Sequence, residues 1–542
     1  MKRILPIAIL LFVCLLYTKP YFNTGYFPTN DGEWAVIRTS EMKRELKDLQ
    51  IPPRFSGYLN HGYGYPLFNF TYPMPFYITA FLNMARIGLI DSVKTVFVLS
   101  VFLSAIFMYL LGRELGGNFA GFLSSLFYVV APFRLVDLYV RGSIGESVSL
   151  ALFPLLCYIG IRYILRPSLF KLVLCASVLA LLILSHNIMA LIFFPLWIIF
   201  LYVAVISYFE DIKIYTFRYF LPVILLGLGL ACYFFLPALA EKSYVVLSTT
   251  KLADKTENFI SLPQYLLSPW SYGAKPSFQL GWAHILSSFL GLIGLFLAKE
   301  IDRKKYLPLA IFTYVGILLL VFFSHPFSTE FWNVPPLSWF DFPWRLLTPL
   351  ALFLAISTVY LSIHKTTRII GGILAVITII LSLSFAKPSD YTNKPDSYYA
   401  TNDATTTSMD ELMPIWVKKK PTERFERKVV VEGPGTVSDL FSKSDEIKFQ
   451  FTTSSESVVK ISTVYFPGWI FKADNKEIKP DYDIVGDGLI RLKLKSGDYK
   501  VEGKFSRTPV RFIADVITLL SIFVSFVLLI LGGILNLRKK SV

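Results

Sequence analysis

Two carboxylates stand within the hexapeptide Thr29-Asn30-Asp31-Gly32-Glu33-Trp34, directly after an apolar run that opens the chain. A charge at the end of such a run is unfavourable unless it is solvated or used. Asp31 is placed to take a proton from an acceptor hydroxyl, with Glu33 assisting. A divalent cation, if one takes part, would rest on Asp31. The other reading of Asp31 is a helix N-cap or a solvated acidic loop. Further along, Arg134, Asp137, Arg141 and Glu146 alternate in sign. Arg141 has the planar fork that grips a phosphate with two parallel hydrogen bonds. Asp137 or Glu146 is a candidate second acid facing Asp31, although the four charges could equally pair with one another. His186, in Ser185-His186-Asn187, sits at a tight hairpin tip, as a cap or as a substrate contact. Arg345, in Asp341-Phe342-Pro343-Trp344-Arg345, could meet an anionic headgroup or pair with Asp341 one helical turn away.

Between the first two clusters lies a loop dense in glycine, proline and aromatic residues, running from Gly62 to Pro75. Tyr63, Tyr65 and Tyr72 offer flat faces that stack on sugars or anchor at a membrane interface. His61 could donate to a phosphate or simply bond locally. Asn69-Phe70-Thr71 matches a glycosylation acceptor triplet, a short pattern that recurs by chance.

The elements that must position these residues are apolar helices. The 542 residues are 54% hydrophobic and only 17% charged, which describes a multi-span α-helical membrane protein. The net charge of +15 does not point to nucleic acid, because the basic residues cluster beside apolar runs and not on one domain face. All four cysteines fall inside such runs, spaced unlike a metal site or a disulfide framework. Crossings are expected at 4–22, 93–112, 117–133, 147–165, 170–186, 188–208, 219–239, 282–298, 306–323, 345–363, 369–386 and 511–535. Residues 1–20 read as an uncleaved first helix, since no small-residue cleavage pattern follows. Basic clusters at Lys2-Arg3, Arg162 to Lys171, Lys213 to Arg218, Lys299 to Lys305, His364 to Arg368 and Arg538 to Lys540 separate the runs. The positive-inside rule puts them all on the cytoplasmic side, with both termini. Segment 74–90 is apolar too, but a crossing there would flip every later basic loop. It is expected to be interfacial or re-entrant. The outer segments are then 23–73, 134–146, 240–281, 324–343 and 387–509, and the candidates for chemistry lie in them, at their edges or, for His186, at a hairpin tip at the same membrane level.

Within the first outer loop, residues 33–50 show helical spacing of Trp34, Ile37, Met42, Leu46 and Leu49. This predicts a helix lying on the membrane face or, nearly as well, a helix packed on the protein. The expected organisation is a membrane domain over 1–386, a polar linker over 387–410, a β-sandwich over 411–509 and a last helix with a basic tail over 510–542. Six or so short alternating runs between Lys428 and Phe505 carry the β assignment, with Ser496-Gly497-Asp498 as a tight turn. No P-loop and no internal repeat is present, which disfavours ATP-driven transport.

Taken together, these stretches resemble a known family. The acidic motif after the first span, followed by Gly62-Tyr63-Gly64-Tyr65-Pro66, is similar to the first outer loop of GT-C membrane glycosyltransferases. Arg134 to Glu146, Ser185-His186-Asn187, Phe342-Pro343-Trp344-Arg345, Tyr465-Phe466-Pro467-Gly468-Trp469, Gly486-Asp487-Gly488-Leu489-Ile490 and Ser506-Arg507-Thr508-Pro509 resemble the bacterial YfhO-type group. That group overlaps membrane proteins labelled 6-pyruvoyl-tetrahydropterin synthase-related. The resemblance implies a sugar transferase at the outer face of the cytoplasmic membrane. It would use a polyprenyl-phosphate sugar and a glycan, lipid or protein acceptor. Asp31 would be the base or metal ligand, Glu33 the second choice, and Asp137 or Glu146 the further acid. Arg141, Arg345 and His61 would hold the donor phosphate. Asp-Gly-Glu stands where the family pattern has Asp-Xaa-Asp, so dependence on a cation is not implied. The competing class is a non-catalytic envelope protein, or a transporter or flippase of lipid-linked glycans. Such proteins place charges mid-span and show inverted repeats, whereas the charges here gather at the outer rim.

Overall fold

The computed structural model describes residues 4–208, 217–273, 275–483 and 485–540. Lys2-Arg3 and Lys213 therefore lie outside the described residues. Among the described residues, nine helices are long and apolar enough to cross a membrane, and Leu169–Ser185 and Trp282–Leu297 are shorter apolar helices. One of the nine, Leu89–Val129, turns back on itself at Gly117, whose φ of +85° only glycine adopts readily. The Ser125 hydroxyl donates to the Ala105 carbonyl at 2.7 Å, as two arms of a hairpin require. Every apolar segment named from the sequence thus coincides with a helix or a helix arm.

Segment 74–90 forms the helix Met74–Met84, 11 residues long. At about 1.5 Å per residue it cannot span a hydrocarbon layer of about 30 Å. Buried helices at the centre of the bundle are Ile144–Leu165 and Leu347–Ser357, whose residues are enclosed on nearly all sides. The final helix, Pro509–Lys540, runs along Phe217–Ala240 and leaves Leu519, Phe523 and Phe526 more than 60% exposed. Such a surface is stable only against lipid.

The helix Gly32–Lys47 is packed within the protein, with Val36, Thr39, Glu41, Met42 and Glu45 all buried. Of the two readings open from its sequence, packing on the protein is the one these contacts show. Asn69 is fully buried and donates to Glu241 at 2.8 Å, so the glycosylation triplet is not accessible to modification.

Eight strands form the extramembrane domain: β1 Val429–Glu432, β2 Thr436–Ser442, β3 Glu446–Thr453, β4 Ser457–Val464, β5 Trp469–Ala473, β6 Lys476–Ile478, β7 Leu489–Leu494 and β8 Gly497–Phe505. They make two antiparallel sheets, ordered β1-β4-β7 and β2-β3-β8-β5-β6. Ile447, Phe449 and Phe451 on β3 point inward between polar neighbours, the alternation of a half-buried strand. The turn at Gly497 joins β7 to β8 across the two sheets. The strands begin at 429, later than the sequence boundary of 411.

The polar stretch read as a linker over 387–410 is not an extended tether. Thr392 pairs with Tyr26, Asp396 accepts the N–H groups of Leu89 and Ile90 at 2.6 and 3.1 Å, and Tyr399 and Thr406 are buried. Its hydroxyls and amides find partners on the first outer loop, which polar patterning alone does not predict. Residues 387–413 form a strap over that loop. A buried ion network fixes the last helix from the other side. Arg511 pairs with Glu241 at 2.8 Å, and Arg54 of the first loop pairs with Asp515 at 2.8 Å.

Candidate active site

Asp31 sits at the N-terminus of helix Gly32–Lys47, yet its carboxylate does not cap that helix. The reason is local. Its N–H donates to the Arg141 carbonyl at 2.7 Å and the N–H of Asn30 to the Val140 carbonyl at 3.0 Å. This leaves Asp31 at φ −121°, ψ −10°, away from the extended backbone that a capping residue adopts. The Thr29 hydroxyl accepts the Gly32 N–H at 2.9 Å instead. Among the described residues the Asp31 carboxylate has no hydrogen bond and no ion pair within 4 Å.

The close approach of the two outer loops depends on Gly142. It ends a single π-helical turn, Asp137–Arg141, in the left-handed region at φ +62°. A side chain there would overlap the Thr29 hydroxyl and lie 2.8 Å from the Gly32 nitrogen. π turns are rare and recur at functional sites.

Arg141 is gripped by Asp137 and Glu146, and Glu146 also accepts the Thr348 hydroxyl. Its guanidinium lies 4.6 Å from the Trp344 ring centroid. One cation between two buried acids leaves a negative charge unmatched. Burial, reinforced by the neighbouring Glu146 charge, pushes the Asp137 carboxyl well above its ordinary range. Asp137 Oδ2 is buried with no hydrogen-bond partner. Arg141 remains charged: burial alone would lower it, but Glu146, Asp137 and Asp31 raise it above its usual value.

Arg345 stands in the turn Pro343–Leu346, with its guanidinium 5.2 Å from the Phe342 ring and 5.9 Å from the Trp344 ring. Its Nε is buried and unpartnered, and among the described residues no acid pairs with it. Asp341, one turn earlier, instead accepts the Leu252 N–H at 3.4 Å. His186 stacks on Tyr72 with centroids 4.9 Å apart, and its Nδ1 accepts the Met189 N–H at 3.3 Å, so it caps a helix and faces the site at once.

These groups surround one cavity of about 370 Å³. Asp31, Tyr72, Arg141, His186 and Arg345 line it, together with Asn30, Trp34, Arg38, Leu247, Leu252, Trp344, Thr407, Ser408 and Glu411. Asp137 and Glu146 do not line it; they hold Arg141 from behind. Glu33 turns away to Lys394 and Tyr399, at 3.1 and 3.2 Å. His61 stands 3.5 Å from Asp403, Tyr63 meets Phe425 edge to face, and the Tyr65 hydroxyl bonds Thr406 at 3.0 Å. None of these four lines the cavity. Arg134, also in the alternating cluster, is buried against Ser104 at 2.8 Å.

The residues that sequence reading passed over are Trp34 and Arg38 on the first loop and Thr407, Ser408 and Glu411 on the strap. Positions 31, 34 and 38 share one face of a helix, a spacing that marks the first two as companions of Asp31. The strap residues carry no periodic signal. Among the described residues, no group of three His, Cys, Asp or Glu side chains could hold a metal. A divalent cation at Asp31 would share the cavity with the Arg38, Arg141 and Arg345 guanidiniums, a setting that suits it poorly.

The chain belongs to the family described as 6-pyruvoyl-tetrahydropterin synthase related domain, membrane protein, whose model matches residues 68–389. That range contains Arg141, His186 and Arg345, while Asp31 and the strap lie outside it. An uncharacterized protein from Lactococcus lactis subsp. cremoris (strain MG1363) is 26% identical over 240 residues, spanning 43% of this chain and 39% of the relative. Among solved structures, the arabinofuranosyltransferase AftD from mycobacteria is similar at a TM-score of 0.46 and 15% identity, over 70% of this chain and 26% of AftD. The oligosaccharyltransferase of Archaeoglobus fulgidus is similar at 0.42 and 13%, over 78% of this chain and 62% of the enzyme. ArnT from Cupriavidus metallidurans bound to undecaprenyl phosphate is similar at 0.37 and 14%, over 73% of this chain and 67% of ArnT.

Proposed function

We propose that this protein transfers a sugar from a polyprenyl-phosphate carrier to an acceptor hydroxyl in the cavity at the outer rim of the membrane domain. One observation carries the reading: among the described residues, a carboxylate with no hydrogen-bond or ion-pair partner, Asp31, and a guanidinium with no acid partner, Arg345, line the same cavity. A free base beside a free cation is what a displacement at an anomeric carbon needs.

In this reading the acceptor oxygen attacks the anomeric carbon while Asp31 takes its proton. The new bond forms as the bond from that carbon to the phosphate oxygen breaks, and the electron pair leaves on the polyprenyl phosphate. Arg345 stabilises the growing phosphate charge. Arg141, already matched by Glu146, adds field and fixes Trp344 as a wall. The cavity lies at loop ends of the apolar helices, beside Ser143 and Ile188, which suits a carrier whose tail stays in the bilayer. The donor's sugar and the wider assembly of the outer face on the extracytoplasmic side belong to the same proposal.

The test is transfer by the full chain in lipid nanodiscs, supplied with a panel of labelled undecaprenyl-phosphate sugars and envelope glycan acceptors. Asp31→Asn should lower turnover by about 100-fold or more while leaving the thermal unfolding curve in place. Wild-type turnover in the Asn variant would remove Asp31 from the mechanism and the reading with it.

A further inference from the structure

Resting on the transferase reading above, we infer that residues 407–411 of the strap form the acceptor subsite, and that the acceptor they select is a neutral, hydroxyl-rich glycan.

The cavity has two chemically different walls. The membrane-domain wall holds Arg141 and Arg345, suited to an anionic phosphate. The wall supplied by the strap holds hydroxyls and a carboxylate: Thr407, Ser408 and Glu411. Two observations mark these as ligand groups. Thr407 is 8% exposed, and its Oγ1 is buried with no hydrogen-bond partner although the residue lines the cavity. A buried hydroxyl left open is unfavourable unless a ligand completes it. Glu411 uses one carboxylate oxygen for the Met409 N–H at 3.0 Å, and its other oxygen makes no hydrogen bond among the described residues.

The strap is held in place by contacts that leave those groups free. Arg38 bonds the Thr406 carbonyl and its Oγ1, the latter at 3.1 Å, and the Thr406 N–H donates to the Tyr65 hydroxyl at 3.1 Å. The Leu247 N–H donates to the Glu411 carbonyl at 2.7 Å. Thr406 and the backbone thus carry the anchoring, and Thr407 and Glu411 line the cavity that Asp31 also lines.

Charge decides the acceptor class. An acceptor on this wall meets the Glu411 carboxylate, with Asp31 and the Arg38 guanidinium lining the same cavity. Sugar hydroxyls donate well to such oxygens, and the Trp34 indole offers a face for a ring. An acceptor carrying carboxylates or phosphates would set like charge against Glu411 and Asp31, and the Arg38 cation on that side is already engaged by the Thr406 carbonyl and hydroxyl, which selects against it.

The experiment uses the full chain in nanodiscs, loaded with undecaprenyl phosphate. Binding is read by tryptophan fluorescence for neutral oligosaccharides, uronate-containing oligosaccharides and short polar peptides. Neutral oligosaccharides should bind at least tenfold more tightly than uronates or peptides. Glu411→Gln and Thr407→Val should each weaken that binding by tenfold or more, and Glu411→Asp should recover part of it. Affinity for undecaprenyl phosphate should stay within twofold of wild type in all three, which also reports that the variants are folded. Preference for uronates or peptides, or unchanged saccharide binding in both variants, would overturn the assignment while leaving donor binding intact. Loss of undecaprenyl-phosphate binding by the wild-type chain would instead overturn the transferase reading and this inference together.

Discussion

Asp31 owes its availability to backbone and not to side-chain partners. The Arg141 carbonyl holds its N–H at 2.7 Å and thereby keeps the carboxylate from capping its own helix. Glu41 and Glu45, about three and four turns further along the same helix, are the opposite case: both are buried, and each has one oxygen with no hydrogen-bond partner. Burial pushes Glu41 up to about 7, against weaker lowering by the Tyr58 N–H and Arg44 and slight raising by Asp48. The sign follows from proton counting. A carboxyl whose folded value exceeds its unfolded value gives stability that is complete below the unfolded value near 4.5 and is lost as pH rises through about 7. Glu41→Gln keeps the oxygen that accepts the Tyr58 N–H at 3.0 Å but cannot ionise. It should therefore raise the melting temperature at pH 8 and change it little at pH 4.5, as scanning fluorimetry will measure. Equal shifts at both values would contradict the burial argument. At this scale much of the site was legible from sequence. Asp31, Tyr72, Arg141, His186 and Arg345 stand out as polar or aromatic groups at the ends of apolar runs, and all five line the cavity. Glu33 and His61 have the same appearance in the sequence, but nearby Lys394 and Asp403, more than 300 residues away in the chain, engage them.

The elements that matter most are two short loops brought into contact. Gly142 at φ +62° lets the turn after Asp137–Arg141 lie against residues 29–32. Gly142→Ala places a methyl group against Thr29 and strains the backbone by about 1–3 kcal/mol. The expected result is a lower melting temperature together with reduced turnover, because Asp31 moves relative to Arg141. Wild-type turnover and melting in this variant would show that the contact is not needed. Helices were readable because apolar length is a strong signal, and the break at Gly117 falls at the first residue of the second of the two runs, 93–112 and 117–133. The strap over 387–413 was not readable. Its Thr, Asn and Ser residues look like a solvated tether until Tyr26, Arg38 and Tyr65 are seen to bond them.

At the scale of the whole molecule, the cavity is built by three parts of the chain: the first outer loop, the membrane domain and the strap leading to the β-domain. Glu241 joins the first loop to the start of the last helix, accepting from Asn69 at 2.8 Å, Thr508 at 2.7 Å and Arg511 at 2.8 Å. This arrangement requires the first loop and β1–β8 to share one side of the membrane. All four native cysteines are buried, so a membrane-impermeant maleimide will report only introduced ones. In intact cells Thr24→Cys and Ser454→Cys should label, whereas Lys304→Cys should label only after lysis. Labelling of Thr24→Cys without Ser454→Cys would contradict the fold's sidedness. The central claim, that the cavity receives a lipid-linked phosphate, is tested most directly by the affinity of the full chain for undecaprenyl phosphate with and without Arg345. A charge-assisted bond of about 1.5–3 kcal/mol corresponds to roughly 10–100-fold weaker binding in Arg345→Ala. Equal affinity in the wild-type and Ala chains, or none in either, would contradict the account.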